Sequence, residues 1–157
     1  MSVLVPDLLW TGTRFERELG VVLDLDGRIA AVTPLAQLRG ERVERLSGQA
    51  LLPGFVNAHS HAFQRGLRGL GERFTSGAGS FWSWREAMYR LVDELDSERL
   101  RALSAQAFRE MLAAGITTVG EFHYVHHSAA GPDWKLDEAV LAAARETGIR
   151  LVLLEVY

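Results

Sequence analysis

Apolar residues in the first third of the chain come in short runs broken by turn formers. Val21-Val22-Leu23-Asp24-Leu25 and Ile29-Ala30-Ala31-Val32 flank Asp26-Gly27. An Asp-Gly pair between such runs predicts a tight hairpin, because both central positions tolerate positive φ. Residues 1–52 are therefore expected to form a small antiparallel β module. Leu51-Leu52-Pro53-Gly54 marks a change of pattern, after which Phe55-Val56-Asn57-Ala58-His59 reads as a buried strand leaving a Pro-Gly turn. The stretch punctuated by Gly66, Gly69, Gly71, Gly77 and Gly79 carries too many breakers for regular structure and reads as a long functional or disordered connection.

Phe81-Trp82-Ser83-Trp84 opens a helix expected to run through Leu91. Asp96 or Ser97 caps a second helix, whose apolar residues Leu100, Leu103, Ala107, Met111 and Ala114 recur at three- and four-residue steps until Gly115 stops it. Ile116 to Phe122 is a β-branched strand. Leu136 to Thr147 is an amphipathic helix closed by Gly148, and Ile149 to Leu154 is an almost continuous apolar strand. Strands alternating with helices predict parallel pairing through right-handed crossovers. Parallel strands occur almost only inside large α/β layers, and a (β/α)8 barrel takes ~250 residues. Residues 53–157 are too few for one, so an incomplete barrel fragment with an unpaired edge strand is expected.

Composition narrows the function classes. The 157 residues carry a formal net charge of −3, with 48% hydrophobic and 24% charged residues, which fits a packed domain and argues against disorder. A pI near 5.9 offers no electrostatic case for nucleic acid or an anionic membrane. Met1 to Trp10 has no basic segment leading into a long apolar run, so no signal peptide is expected, and no stretch approaches the ~20 apolar residues of a membrane span. With no cysteine, any metal must be held by imidazole and carboxylate. This composition is compatible with the cytoplasm.

The strongest chemical signal is Asn57-Ala58-His59-Ser60-His61. Side chains two apart on an extended strand point the same way, so His59 and His61 can grip one metal ion at the exit of the first parallel strand. Active sites of such barrels gather at the carboxyl ends of the strands. Surface histidines at this spacing also arise by chance, and context decides between the two readings.

That context resembles the amidohydrolase superfamily. Leu52-Pro53-Gly54-Phe55-Val56-Asn57-Ala58-His59-Ser60-His61 is similar to its first barrel strand, preceded by part of its small β-sandwich domain. The resemblance divides the chain into a sandwich module, 1–52, and the first three barrel strands with their helices, 53–157. It narrows with His61-Ala62-Phe63-Gln64-Arg65-Gly66, Phe81-Trp82-Ser83-Trp84-Arg85-Glu86 and Glu121-Phe122-His123-Tyr124-Val125-His126-His127. These resemble the branch that hydrolyses N-formimino-L-glutamate to N-formyl-L-glutamate and ammonia in histidine breakdown. The implied protein is a metal-dependent hydrolase of non-peptide C–N bonds, with one divalent ion, zinc first among candidates, on His59 and His61.

A formimino-glutamate ligand has two carboxylates and an amidine-like head, so its site needs a cation and neutral donors. The resemblance gives Arg85 a carboxylate, Tyr124 the same class of anion through its phenol, and Gln64 the formimino group. Each has a plainer alternative: a salt-bridging arginine, a tyrosine at the core's edge, a loop-capping glutamine. Trp82 and Trp84 read as packing. His123, His126 and His127 are assigned to a loop or to support behind the metal, with a direct metal role as the lesser alternative, and the side taken by Glu121 depends on a register the sequence leaves open. The remaining metal ligands and the acid/base groups are expected on later strands, so the isolated chain is expected to be inactive. The family also implies a homodimer. Rival readings are a superfamily deaminase of a purine, pyrimidine or guanidine, and a non-enzymatic, self-associating fragment.

Overall fold

The computed structural model describes residues 2–40, 42–70, 80–127 and 134–157. The chain forms two compact units, Met1–Pro53 and Gly54–Tyr157.

The first unit is one sheet of β1 (Ser2–Trp10), β2 (Phe15–Glu16), β3 (Leu19–Leu23), β4 (Ile29–Pro34) and β5 (Arg42–Leu51). β1 is central. It pairs antiparallel with β3 through Ser2–Leu4 and with β2 through Leu9–Trp10, and parallel with β5 along most of its length. The expected antiparallel module is thus a mixed sheet. Alternating burial shows that a segment is a half-buried strand but not which way its partner runs. The residues after β4, including a 3-10 turn at Leu35–Gln37, return the chain to the far side of β1. Val3, Val5, Leu9 and Val21 make the core. Where the β1–β5 register slips, Gly48 takes φ +73° and its N–H donates to Asp7 Oδ2 at 2.8 Å. The Asp26-Gly27 hairpin forms, but with three residues, Leu25 to Gly27, between Asp24 and Arg28, whose backbones pair at 2.9 Å. Only Gly27 takes positive φ, while Asp24 Oδ1 accepts from the amides of Asp26 and Arg28 at 2.9 and 2.8 Å.

The second unit is a parallel sheet in the order β6 (Phe55–Ser60), β7 (Ile116–His123), β8 (Arg150–Glu155), connected by α1 (Phe81–Asp93), α2 (Ser97–Ala113) and α3 (Lys135–Thr147). Helix starts follow the sequence. Ser80 and Ser83 form a capping box on α1, and Asp96 accepts from the Arg99 amide at 2.7 Å to cap α2. Gly148, at φ +78°, ends α3. Leu100, Phe108, Val119, Leu136, Val140 and Ala143 are buried where the helices meet the sheet. Glu146 of α3 takes Arg101 and Arg109 of α2 as partners, so charge seals the rim of this helix pair.

Two expectations change here. The strand read as buried is largely exposed: Phe55 and Val56 are 60% and 67% accessible, and on β8 Val152 and Leu154 face out while Leu151 and Leu153 pack inward. Among the described residues β6 and β8 are the edge strands of this sheet and the helices pack on one of its faces, which leaves these side chains accessible. The glycine-rich stretch begins as a 3-10 helix, Ala62–Leu67; its Gly71, Gly77 and Gly79 lie outside the described residues.

Candidate metal centre

The end of β6 is irregular in a way that builds the site. Asn57 pairs with Val119 and Ser60 with Glu121, so three steps on β6 match two on β7 and one extra residue bulges out. Gly120 of β7 lies under this bulge, where a Cβ would stand 3.0 Å from the Ala58 carbonyl oxygen. A bulge re-aims the side chains beyond it, and here the paired histidines come out on one side.

His59 Nε2 and His61 Nε2 stand 3.0 Å apart, with ring planes at 90°. His61 Nδ1 lies 2.8 Å from the Phe122 carbonyl oxygen. A carbonyl only accepts, so Nδ1 carries the proton and the neutral ring keeps its lone pair on Nε2, toward His59. Metal-binding histidines are commonly held in this way by the nitrogen away from the ion. Because a zinc–nitrogen bond is ~2.0–2.1 Å, nitrogens at this separation can both reach one ion. The donor set fits a divalent cation.

Behind the pair sits Glu121, 1% exposed, whose Oε1 accepts from the Ala62 amide at 2.6 Å. Burial pushes its pKa up, and hydrogen bonds from Ser60 and the Ala62 amide pull the other way. It fixes the backbone immediately after His61. The only sequence signal for this role is a carboxylate inside an apolar β-branched run, a residue that needs a partner when buried.

Gln64 and Tyr124 meet beside His61. Gln64 Nε2 donates to the Tyr124 hydroxyl at 2.9 Å, that hydroxyl approaches Met88 sulfur at 3.6 Å, and the Tyr124 ring packs on His61 with centroids 5.1 Å apart. Burial raises the Tyr124 pKa, so the phenol stays a neutral donor. Arg85 is placed differently. Its Nε donates to Tyr89 Oη at 2.7 Å, and its guanidinium lies over the rings of Tyr89 and Trp82 at 5.1 and 5.7 Å, leaving its terminal nitrogens free of these contacts. Tyr89 and Tyr124 line one cleft of about 310 Å³ together with Met88, Val92, His126 and His127. The structure therefore joins His59, His61, Gln64 and Tyr124 through direct contacts and ties Arg85 to the neighbouring wall through Tyr89. Trp84 packs on the core as expected, but Trp82 is 66% exposed and serves as a platform for Arg85.

His123 and His126 are buried and turn toward Asp137 of α3. Burial lowers the His123 pKa. Burial also works against charge on His126, but its contacts with the Val156 carbonyl and Asp137 outweigh that and raise its pKa.

A parallel βαβαβ unit with two convergent histidines at its first strand exit defines a class. Residues 50–157 match the model of the amidohydrolase family, and the chain belongs to that family. It is 43% identical over 157 residues to formimidoylglutamate deiminase of Pseudomonas aeruginosa, covering 98% of this chain and 33% of that protein. It is 28% identical to a 5′-deoxyadenosine deaminase of Methanopyrus kandleri, covering 91% of this chain and 31% of that protein. Among solved structures, an amidohydrolase from Brucella melitensis superposes with a TM-score of 0.86 at 34% identity, over 98% of this chain and 34% of that one. An atrazine chlorohydrolase from Arthrobacter aurescens, complexed with zinc, shares the fold with a TM-score of 0.79 at 22% identity, over 99% and 35%. The chain spans about a third of the length of these relatives.

Proposed function

We propose that this chain supplies the entry wall of a metal-dependent hydrolase that cleaves the formimino C–N bond of N-formimino-L-glutamate, giving N-formyl-L-glutamate and ammonia. The observation that carries the reading is the pair of Nε2 atoms 3.0 Å apart, with His61 fixed by the Phe122 carbonyl. The 43% identity to a formimidoylglutamate deiminase supports the substrate. In this reading the parallel strands are the first three of a (β/α)8 barrel and the first unit is part of its β-sandwich domain. The enzyme works as a homodimer in the cytoplasm; among the described residues no helix is long and apolar enough to cross a membrane.

His59 and His61 would hold one divalent ion, zinc first among the several that imidazole suits. Such an ion, when bound, would lower the pKa of its water to about 7 and so would make hydroxide available at neutral pH. The chain's other residues bind and orient the substrate. Gln64 and the Tyr124 phenol present neutral donors beside the histidines. Arg85, steadied by Tyr89, offers a forked cation to a substrate carboxylate. Two imidazoles are half of a four-coordinate set, and no acid/base group for expelling ammonia is assigned here, so the 157-residue chain alone is expected to give no measurable turnover.

The test compares N-formimino-L-glutamate with 5′-deoxyadenosine as substrates of the full-length enzyme carrying this chain. Preferential release of ammonia from the formimino compound supports the proposal. Preference for the nucleoside transfers the site to the other deaminase reading.

A further inference from the structure

Strand alternation sends Phe122 toward His59 and His61, with ring centroids 5.6 and 5.5 Å away, and sends His123 to the opposite, helix-covered face of β7. There His123, His126 and Asp137 converge, each at most 7% exposed, with one ligating atom from each lying within 4.8 Å of the others.

The hydrogen bonding around this cluster is lopsided. His126 Nε2 stands 2.8 Å from the Val156 carbonyl oxygen and is therefore a donor, which in the neutral ring leaves the lone pair on Nδ1. That lone pair faces Asp137 Oδ1 at 2.7 Å, acceptor against acceptor unless something positive lies between. His123 repeats the arrangement. It makes a hydrogen bond with the Val125 backbone, and its Nε2 points at the same carboxylate oxygen from 3.7 Å. His123 Nε2 and Asp137 Oδ2 are both buried without a hydrogen-bond partner. A proton on His126 satisfies one of these contacts and leaves the other two atoms orphaned in the interior, where each such atom calls for an ion or water. A single cation among the three gives both imidazole lone pairs and the Asp137 carboxylate a common partner. Both rings are anchored through the nitrogen away from the cluster, as in metal-ligating histidines.

We propose that His123, His126 and Asp137 form a second site for a divalent transition metal, zinc by the chemistry of its donors, on the face of β7 opposite His59 and His61. Two imidazoles and a carboxylate are a three-ligand zinc set with one position open. Tetrahedral ligands at ~2.0–2.2 Å from a common ion stand about 3.3–3.6 Å apart, so an ion bound here draws atoms that now lie within 4.8 Å of one another closer by up to about an ångström. Of the three, His126 also lines the cleft of about 310 Å³. The site joins the end of β7 to the first turn of α3, and through Val156 to the end of β8. It is independent of the reading given to His59 and His61.

The test uses the chain with His59→Ala and His61→Ala, so that the first pair cannot contribute. After dialysis against zinc and removal of excess, elemental analysis is expected to find one zinc per chain, and Asp137→Asn in that background is expected to abolish it. Nitrogen NMR of the Asp137-containing chain supplies a readout that does not depend on the variant folding: zinc should shift His123 Nε2 and His126 Nδ1 while His126 Nε2 stays protonated. No retained zinc, or a His126 ring protonated on both nitrogens in the presence of zinc, overturns the proposal.

Discussion

His61 reaches its place through three supports: the Phe122 carbonyl on Nδ1, the Tyr124 ring at its edge, and Glu121 holding the amide of the next residue. Glu121→Ala removes that last support. Leaving the buried amide without an acceptor is expected to cost about 1–3 kcal/mol in urea unfolding. Zinc affinity at His59 and His61 should fall about 10- to 100-fold, as happens when groups that orient ligands are lost. Glu121→Gln keeps an accepting oxygen and should lose much less in both measurements. Arg85→Lys in the full-length enzyme removes the fork presented to a carboxylate. A loss of about 1.5–3 kcal/mol, roughly 10- to 150-fold in kcat/KM for formimino-glutamate, is expected. Unchanged kinetics would reduce Arg85 to a cation stacked on Trp82. At this scale the His-x-His pair was legible as a motif at two-residue spacing, although the bulge at the end of β6, and not regular alternation, brings the two rings together. Glu121 was not, since its partner, the Ala62 amide, is brought to it by the turn after a bulged neighbouring strand that no local pattern in β7 encodes.

Elements were legible wherever a local signal fixes them. Asp96, Gly115 and Gly148 mark helix ends that periodicity alone leaves loose, and α2 and α3 lie where the apolar spacing puts them. Asp96→Ala should destabilise the second unit by about 1 kcal/mol in urea unfolding through loss of the α2 cap. Phe108→Ala, in the core between helices and sheet, should cost about 3–5 kcal/mol. Partner direction and close approach were not legible. The parallel β1–β5 ladder follows from the path of a connection, and the contact of β6 with β7 relies on Gly54, where a Cβ would lie 2.2 Å from Thr117 Oγ1. Gly54→Ala is accordingly expected to destabilise the chain by about 1–3 kcal/mol through overpacking.

For the whole molecule, burial is the informative quantity. The almost continuous apolar run of β8 is that of a strand covered on both faces, yet among the described residues the helices pack on one face, and the chain spans about a third of its relatives. The sequence pattern thus describes the environment of a larger α/β layer more faithfully than that of the three strands present. It was enough to place the chain in its family. The claim on which the account rests is that His59 and His61 hold one cation together. Nitrogen NMR of the imidazoles during zinc titration of the chain tests it directly. The account predicts that His59 Nε2 and His61 Nε2 shift together at a common stoichiometry while His61 Nδ1 stays protonated. A shift at only one ring, or none at either, would contradict it.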